Sequence, residues 1–250
     1  MATIQLIPVD GIPEVHPGDD LAALIVAALT AVGERLRPGD IVAVAQKVVS
    51  KSEGRLCRIS TVVPGAQAMA MAAESGRDAK LLEVVLGETR RIVRWSRGVL
   101  IVETHHGFVC ANAGVDQSNA GAADTVVLLP VDPDASAARL RAALADASGV
   151  DVPVVVTDTF GRAWREGHMN VAIGISGLPA LRRYAGTFDP EGYELKVTEI
   201  AVADELAAAS ELVMGKLDRR PAALIRGLEL GAAGETAQEY VRPAERDMFR

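Results

Sequence analysis

Residues 90–114, RRIVRWSRGVLIVETHHGFVCANAG, decide the fold class. RRIVRW (90–95) and VLIVET (99–104) are short, rich in β-branched residues and read as strands. The turn-forming His105-His106-Gly107 then leads the chain into FVCANAG (108–114), the pattern of an antiparallel hairpin. Around it the signals alternate between strand and helix. TIQLIPV (3–9) reads as a strand. A helix follows from Asp19 or Asp20 as N-cap, with Leu21, Leu24, Ile25, Ala28, Leu29 and Val32 on one face. Arg37-Pro38-Gly39-Asp40 ends it, and IVAVA (41–45) is a buried strand. Residues 66–86 read as helix with a break at Gly76, 125–131 as strand, and a helix starts at Asp132-Pro133-Asp134. VPVVVTDTFGR (152–162) is an apolar strand ending in a polar loop, 202–214 a helix, and 222–227 a late strand. Mixing βα units with a hairpin implies an α+β fold of mixed sheets and flanking helices, not a doubly wound parallel sheet. Residues 1–250 show no linker or repeat, so one domain is expected, with two intimate lobes compatible.

The bulk numbers narrow the chemistry. Net charge is −7, with 33 acidic and 26 basic residues and no Lys/Arg run, so nucleic acid is not an expected partner. The N-terminus lacks the basic and apolar regions of a signal peptide, and no apolar stretch approaches the ~18 residues of a membrane span. A cytoplasmic protein is therefore expected, with Cys57 and Cys110 as reduced thiols. GxxxxGK[ST], GxGxxG after a strand, HExxH and a nucleophile elbow are all missing, so a nucleotide site would have to come from scattered loops.

Four segments can carry chemistry. In 154–162 an apolar strand delivers Asp158 and Thr159 at its C-terminal end, where sheet proteins present ligands. A carboxylate beside a hydroxyl suits Mg²⁺ or Mn²⁺, although the pair could equally form a turn or cap. In 110–119, Asp116 could supply a second metal oxygen and Asn119 a hydrogen bond to phosphate, ribose or base; an ordinary polar loop rich in Asx turns is the alternative. In Gln46-Lys47-Val48-Val49-Ser50-Lys51 the two lysines share a face if the segment is helical, or Lys51 points inward from an extended loop. Either would offset phosphate charge, while solvated surface lysines explain the spacing too. Arg162 and Arg165 could clamp an acceptor's carboxylate or phosphate, or stack on Trp164. His105 and His106 read as turn residues.

Taken together, GIPEVHPGDDL (11–21), QKVVSK (46–51), IVETHHGFVCANAGVDQSN (101–119), LLPVDPDASA (128–137), VVVTDTFGRAWREG (154–167) and DPEGYELKVTEIAVADELAAASELVMGK (189–216) resemble the coenzyme F420:L-glutamate ligases, in family order along nearly the whole chain. The resemblance implies a homodimeric α+β enzyme that takes GTP, L-glutamate and the deazaflavin precursor F420-0. It also implies two divalent ions, Mg²⁺ or Mn²⁺, and leaves room for a monovalent cation. Carried onto this sequence, Asp116 and Asp158 look like metal ligands and Thr159 a ligand of a second ion. Ile12, Pro13, Glu14, Val15, Gln46, Lys51, Asn119, Gly215 and Lys216 look like nucleotide contacts, with Gln46 standing where some relatives carry Ser. Asp116, Asp158 and Lys51 are the expected catalytic set. Some actinobacterial relatives carry a C-terminal nitroreductase-like domain, which is not expected here. A metal-dependent phosphohydrolase and a non-catalytic nucleotide-binding module are the rival readings.

Overall fold

A computed structural model describes residues 3–117, 124–231, 234 and 236–248. The chain opens with β1 (Gln5–Pro8), α1 (Leu21–Ala31), β2 (Ile41–Ala45) and α2 (Gln46–Ser52). A middle section holds β3 (Leu56–Arg58), α3 (Ala66–Ser75), α4 (Ala79–Gly87), β4 (Thr89–Ser96), β5 (Val99–Thr104), β6 (Val109–Ala111) and β7 (Thr125–Val127). Then come α5 (Pro133–Ser148), β8 (Val154–Arg162), β9 (Arg165–Ser176), four two-residue strands β10 (Arg182–Arg183), β11 (Thr187–Phe188), β12 (Glu194–Leu195) and β13 (Glu199–Ile200), and finally α6 (Val202–Met214) and β14 (Ala222–Arg226).

The main sheet has the order β1-β14-β2-β8-β9, with only β2 and β8 parallel. Side chains alternate across it, as the pleat requires. Val42, Val44, Val154, Val156 and Leu224 face α1 and α5, while Ile41, Ala43, Val155 and Ile225 face α6. Covered on both faces, β2 has no polar position, which is why IVAVA is unbroken. Asp20 and Asp132 cap α1 and α5 by accepting the N–H groups of Ala23 and Ala135. Asp204 on α6 accepts the Ala172 N–H at 2.8 Å and pins that helix to β9.

The register of β8 and β9 shifts between Val156 and Thr157. There Gly174 comes so close to α5 that a Cβ on it would lie 2.2 Å from the Pro133 carbonyl oxygen. Only glycine lets the helix start against the sheet at that point.

The middle section forms its own small unit. The antiparallel sheet β4-β5-β6 packs on α3 and α4 around Ala68, Met71, Leu82, Val85, Leu100 and Val102, and the ribbon β3-β7 packs on α4 through Val84, Val126 and Leu128. The hairpin expected through His105-His106-Gly107 is there, as β5 and β6. The strand expected over 125–131 needs correction. TVVLLPV is strand only over Thr125–Val127; Leu128 adds one more bond to the β3 ribbon, its N–H donating to the Arg55 carbonyl, before the chain leaves toward α5. Residues 165–176, to which the sequence reading assigns no element, form a twelve-residue strand. Arg162 and Arg165, read as a clamp or as partners of Trp164, flank the turn between β8 and β9. They pair at the exposed tip of the β8–β9 hairpin, where Arg162 Nη2 donates to the Glu166 carbonyl.

Candidate active site

Parallel β2 and β8 end on the same side of the sheet, but β8 is longer. Ala45 pairs with Thr157, and β2 then stops, so Asp158 and Thr159 project past it with only β9 as neighbour. The space they face is a cleft of about 510 Å³, a usual size for a small-molecule site. Five segments distant in sequence line it: 12–15 before α1, 45–51 through α2, Asp116, 157–159 with Asn170, and 211–221 across the end of α6.

Each wall has a local cause. The segment QKVVSK is helical, so Lys47 and Lys51 do share one side, and Lys51 is buried against Ile12–Val15 with Nζ 2.5 Å from Glu14 Oε1. Gln46 is buried with Oε1 accepting from Ser50 Oγ at 2.9 Å. Asp116 reaches the cleft through a left-handed turn of three residues, Asn112, Ala113 and Gly114, at φ 51°, 54° and 69°. Left-handed backbone costs a non-glycine residue roughly 1–2 kcal/mol. The turn is held by Arg77 donating to Asn112 Oδ1 at 3.1 Å. Beyond it, two hydrogen bonds with Val127 fix the Asp116 backbone: N–H to carbonyl at 3.0 Å and carbonyl to N–H at 2.9 Å. On the far wall, Gly215 sits at φ 63°, ψ 163°, a region open essentially to glycine alone. A Cβ there would meet Asp218 Oδ2 at 2.0 Å.

Electrostatically the cleft is a carboxylate pair among ammonium groups. Asp116 Oδ2 lies 2.7 Å from Lys47 Nζ. Desolvation pushes the Asp158 carboxyl up to about 7, the Asp116 charge adds to this, and the Thr159 N–H, Lys47 and Lys216 oppose it. In the unfolded chain the same group ionises near ~3.9. Between those values the folded protein holds the extra proton, so the group's contribution to stability falls as pH rises through the window. In the presence of a chelator, Asp158→Asn is therefore expected to gain stability over the wild type as pH rises from about 4 to about 7, read by urea unfolding. A difference that does not change with pH would contradict this origin of the shift.

The cleft gathers Ile12, Pro13, Glu14, Val15, Gln46, Lys51, Asp116, Asp158, Thr159, Gly215 and Lys216, that is, the expected site residues that are described. Asn119 lies outside the described residues. Sequence reading missed Asn170, Glu211, Arg219 and Arg220, which also line it. Glu211 had a signal, since a carboxylate falls in helical register with buried Ala207 and Met214. Asn170 was hidden with the unread strand. His105 and His106 are turn residues, their Nε2 groups donating to the carbonyls of Gly87 and Pro130.

Comparison with known proteins turns on the same segments. The profile of the F420-0:Gamma-glutamyl ligase family matches residues 11–227, which runs from the first wall of the cleft past the last. The chain belongs to this family. Relatives named coenzyme F420:L-glutamate ligase align with it over most or all of its length. The protein of Methanothermobacter thermautotrophicus is 43% identical over 250 residues, 99% of either chain. That of Methanopyrus kandleri is 44% identical over 255 residues, 100% of this chain and 99% of its own. That of Methanocaldococcus jannaschii is 39% identical over 216 residues, 86% of each. Within this F420 ligase the cleft offers oxygen donors of the kind hard cations prefer. Among the described residues no three Asp, Glu, His or Cys side chains converge into a closed cage. Two carboxylates that leave other positions to water and phosphate oxygens are how Mg²⁺ is ordinarily held, so the donor set fits a divalent ion shared with a nucleotide.

Proposed function

We propose that the protein uses GTP to join L-glutamate to the terminal carboxylate of the deazaflavin precursor F420-0, and then extends the product through γ-linkages. One observation carries the reading: Asp116 and Asp158, 42 positions apart, meet in one cleft with Lys47, Lys51 and Lys216. A carboxylate pair set among ammonium groups suits a triphosphate bridged by cations. Relatives bearing the glutamate-ligase name supply the acceptor class.

The residues divide the work as follows. Ile12–Val15, Gln46, Asn119 and Gly215 hold the nucleotide. Lys51 and Lys216 offset the negative charge that builds up on the phosphates. Asp116 and Asp158 hold a divalent ion, Mg²⁺ or Mn²⁺. Thr159, the next residue on the strand, would serve a second ion, the role the family resemblance implies for it. When bound, these ions would neutralise phosphate oxygens and align the γ-phosphoryl group for in-line attack. A precursor carboxylate oxygen attacks the γ-phosphorus, the bond to GDP breaks, and an acyl phosphate forms. The glutamate amine attacks its carbonyl carbon, phosphate leaves, the nitrogen loses a proton, and an amide results. The logic is energetic: a carboxylate is a poor electrophile at neutral pH and its phosphoric anhydride is a good one. The working unit is a homodimer.

Mass spectrometry of the precursor incubated with protein, GTP, Mn²⁺ and L-glutamate tests this. Products heavier by successive glutamyl units are expected. Phosphate release without acceptor, and no gain in precursor mass, would overturn the ligase reading in favour of a phosphohydrolase.

A further inference from the structure

From Thr159 a chain of hydrogen bonds runs along the cleft wall to α6. Thr159 on β8 and Asn170 on β9 are directly paired in register, so their side chains stand on one face of the sheet, the face that α6 covers. Thr159 Oγ1 donates to Asn170 Oδ1 at 2.7 Å, and Asn170 Nδ2 donates to Glu211 Oε2 of α6 at 3.0 Å. Asn170 is buried, 3% exposed, whereas Thr159 and Glu211 are half-buried, and all three line the cleft.

The order of donors and acceptors in this chain is forced from its far end. A carboxylate only accepts, so Glu211 takes the NH₂ end of the Asn170 amide. That turns Oδ1 toward Thr159, and because Oδ1 also only accepts, the hydroxyl proton must point at it. Thr159 Oγ1 then has nothing but lone pairs to offer the cleft. An oxygen in that state can bind a cation and cannot donate to a phosphate oxygen. We propose that Asn170, set by Glu211, is a positioning residue that makes Thr159 an acceptor-only ligand and so reserves this corner of the cleft for a divalent cation. This inference rests on the cation-assisted reading above and extends it to Asn170 and Glu211, two further residues of the cleft wall.

The test is Mn²⁺ uptake by the full-length protein with a non-hydrolysable GTP analogue, followed by electron paramagnetic resonance, with thermal unfolding of each variant alongside. Loss of an outer hydrogen-bond partner of a metal ligand typically weakens affinity ~10–100-fold, and that loss is expected for Asn170→Ala at the second Mn²⁺. If Asn170 acts through Thr159, then Asn170→Ala costs nothing further in a Thr159→Val background. Glu211→Gln retains an acceptor for Asn170 and keeps most of the affinity, whereas Glu211→Met loses as much as Asn170→Ala. That pair decides the question even if Asn170→Ala does not fold. Equal losses for Glu211→Gln and Glu211→Met would overturn the proposal by showing that the charge acts directly. So would additive losses in the Thr159→Val background, or a raised KM for glutamate with Mn²⁺ uptake unchanged. Wild-type protein that takes up no Mn²⁺ would remove the cation reading itself, whereas normal uptake in both wild type and Asn170→Ala would remove this inference alone.

Discussion

Asp158→Asn lowers glutamate-dependent GDP release by roughly 10²–10³-fold or more, the range seen when a group aimed at transition-state charge is removed. The substitution is nearly isosteric. Asn Oδ1 can still accept the Thr159 N–H that Asp158 Oδ1 accepts at 2.8 Å, so the strand and the cleft wall stay in place. What goes is the negative charge, and with it one of the two carboxylates that the fold brings together against desolvation and mutual repulsion. A carboxyl held under such conditions in a cleft marks a candidate functional group. Asp116→Asn should act in the same direction, leaving Lys47 without its 2.7 Å partner. Steady-state assays at saturating Mn²⁺ check both, and near-normal turnover in the pair would remove the metal assignment.

Gly174→Ala is expected to have the largest effect on stability, about 3 kcal/mol or more, at the upper end for overpacking. A Cβ there would lie 2.2 Å from the oxygen and 2.4 Å from the carbon of the Pro133 carbonyl. Backbone cannot rotate aside as a side chain can. Pro133 opens α5, and next to it Asp134 accepts N–H groups from Ile175 at 2.8 Å and Ala237 at 3.0 Å, tying helix, sheet and C-terminal segment together. To admit the methyl group α5 must lift from the sheet and loosen Ala137, Leu140 and Leu144 in the core. Gly161→Ala, with nothing within 4 Å of its Cβ, is the control and should stay within ~0.5 kcal/mol. Urea unfolding of the two variants measures the difference; equal midpoints would contradict it.

What could be read from the sequence follows from how local each cause is. Helices α1, α5 and α6 carry their own signals: Asp20 and Asp132 as caps, Gly149 at the end of α5, and apolar residues at helical spacing. Strand β2 is apolar throughout because both its faces are buried. Asp158 was legible for a similar reason, as the first charged residue after a run of buried valines. Strand β9 was not. Its first half, REGHM, pairs only with the overhanging part of β8 and is largely exposed, so it lacks the apolar alternation of a half-buried strand. Its second half contains Gly174, which reads as a breaker but answers to a helix 41 positions away. Losing β9 meant losing Asn170, and with it the partner that orients Thr159. The setting of Arg162 and Arg165 was hidden for a related reason: what reads as a polar loop after a strand end is a hairpin tip.

The covalent course of the reaction gives the most direct test. Precursor carrying ¹⁸O in its terminal carboxylate should be turned over with GTP, Mn²⁺ and L-glutamate, and the released phosphate analysed by mass. If the carboxylate attacks the γ-phosphorus, one labelled oxygen leaves with the phosphate for every amide formed. Amide formation with unlabelled phosphate would contradict activation of the carboxylate by phosphoryl transfer in this cleft.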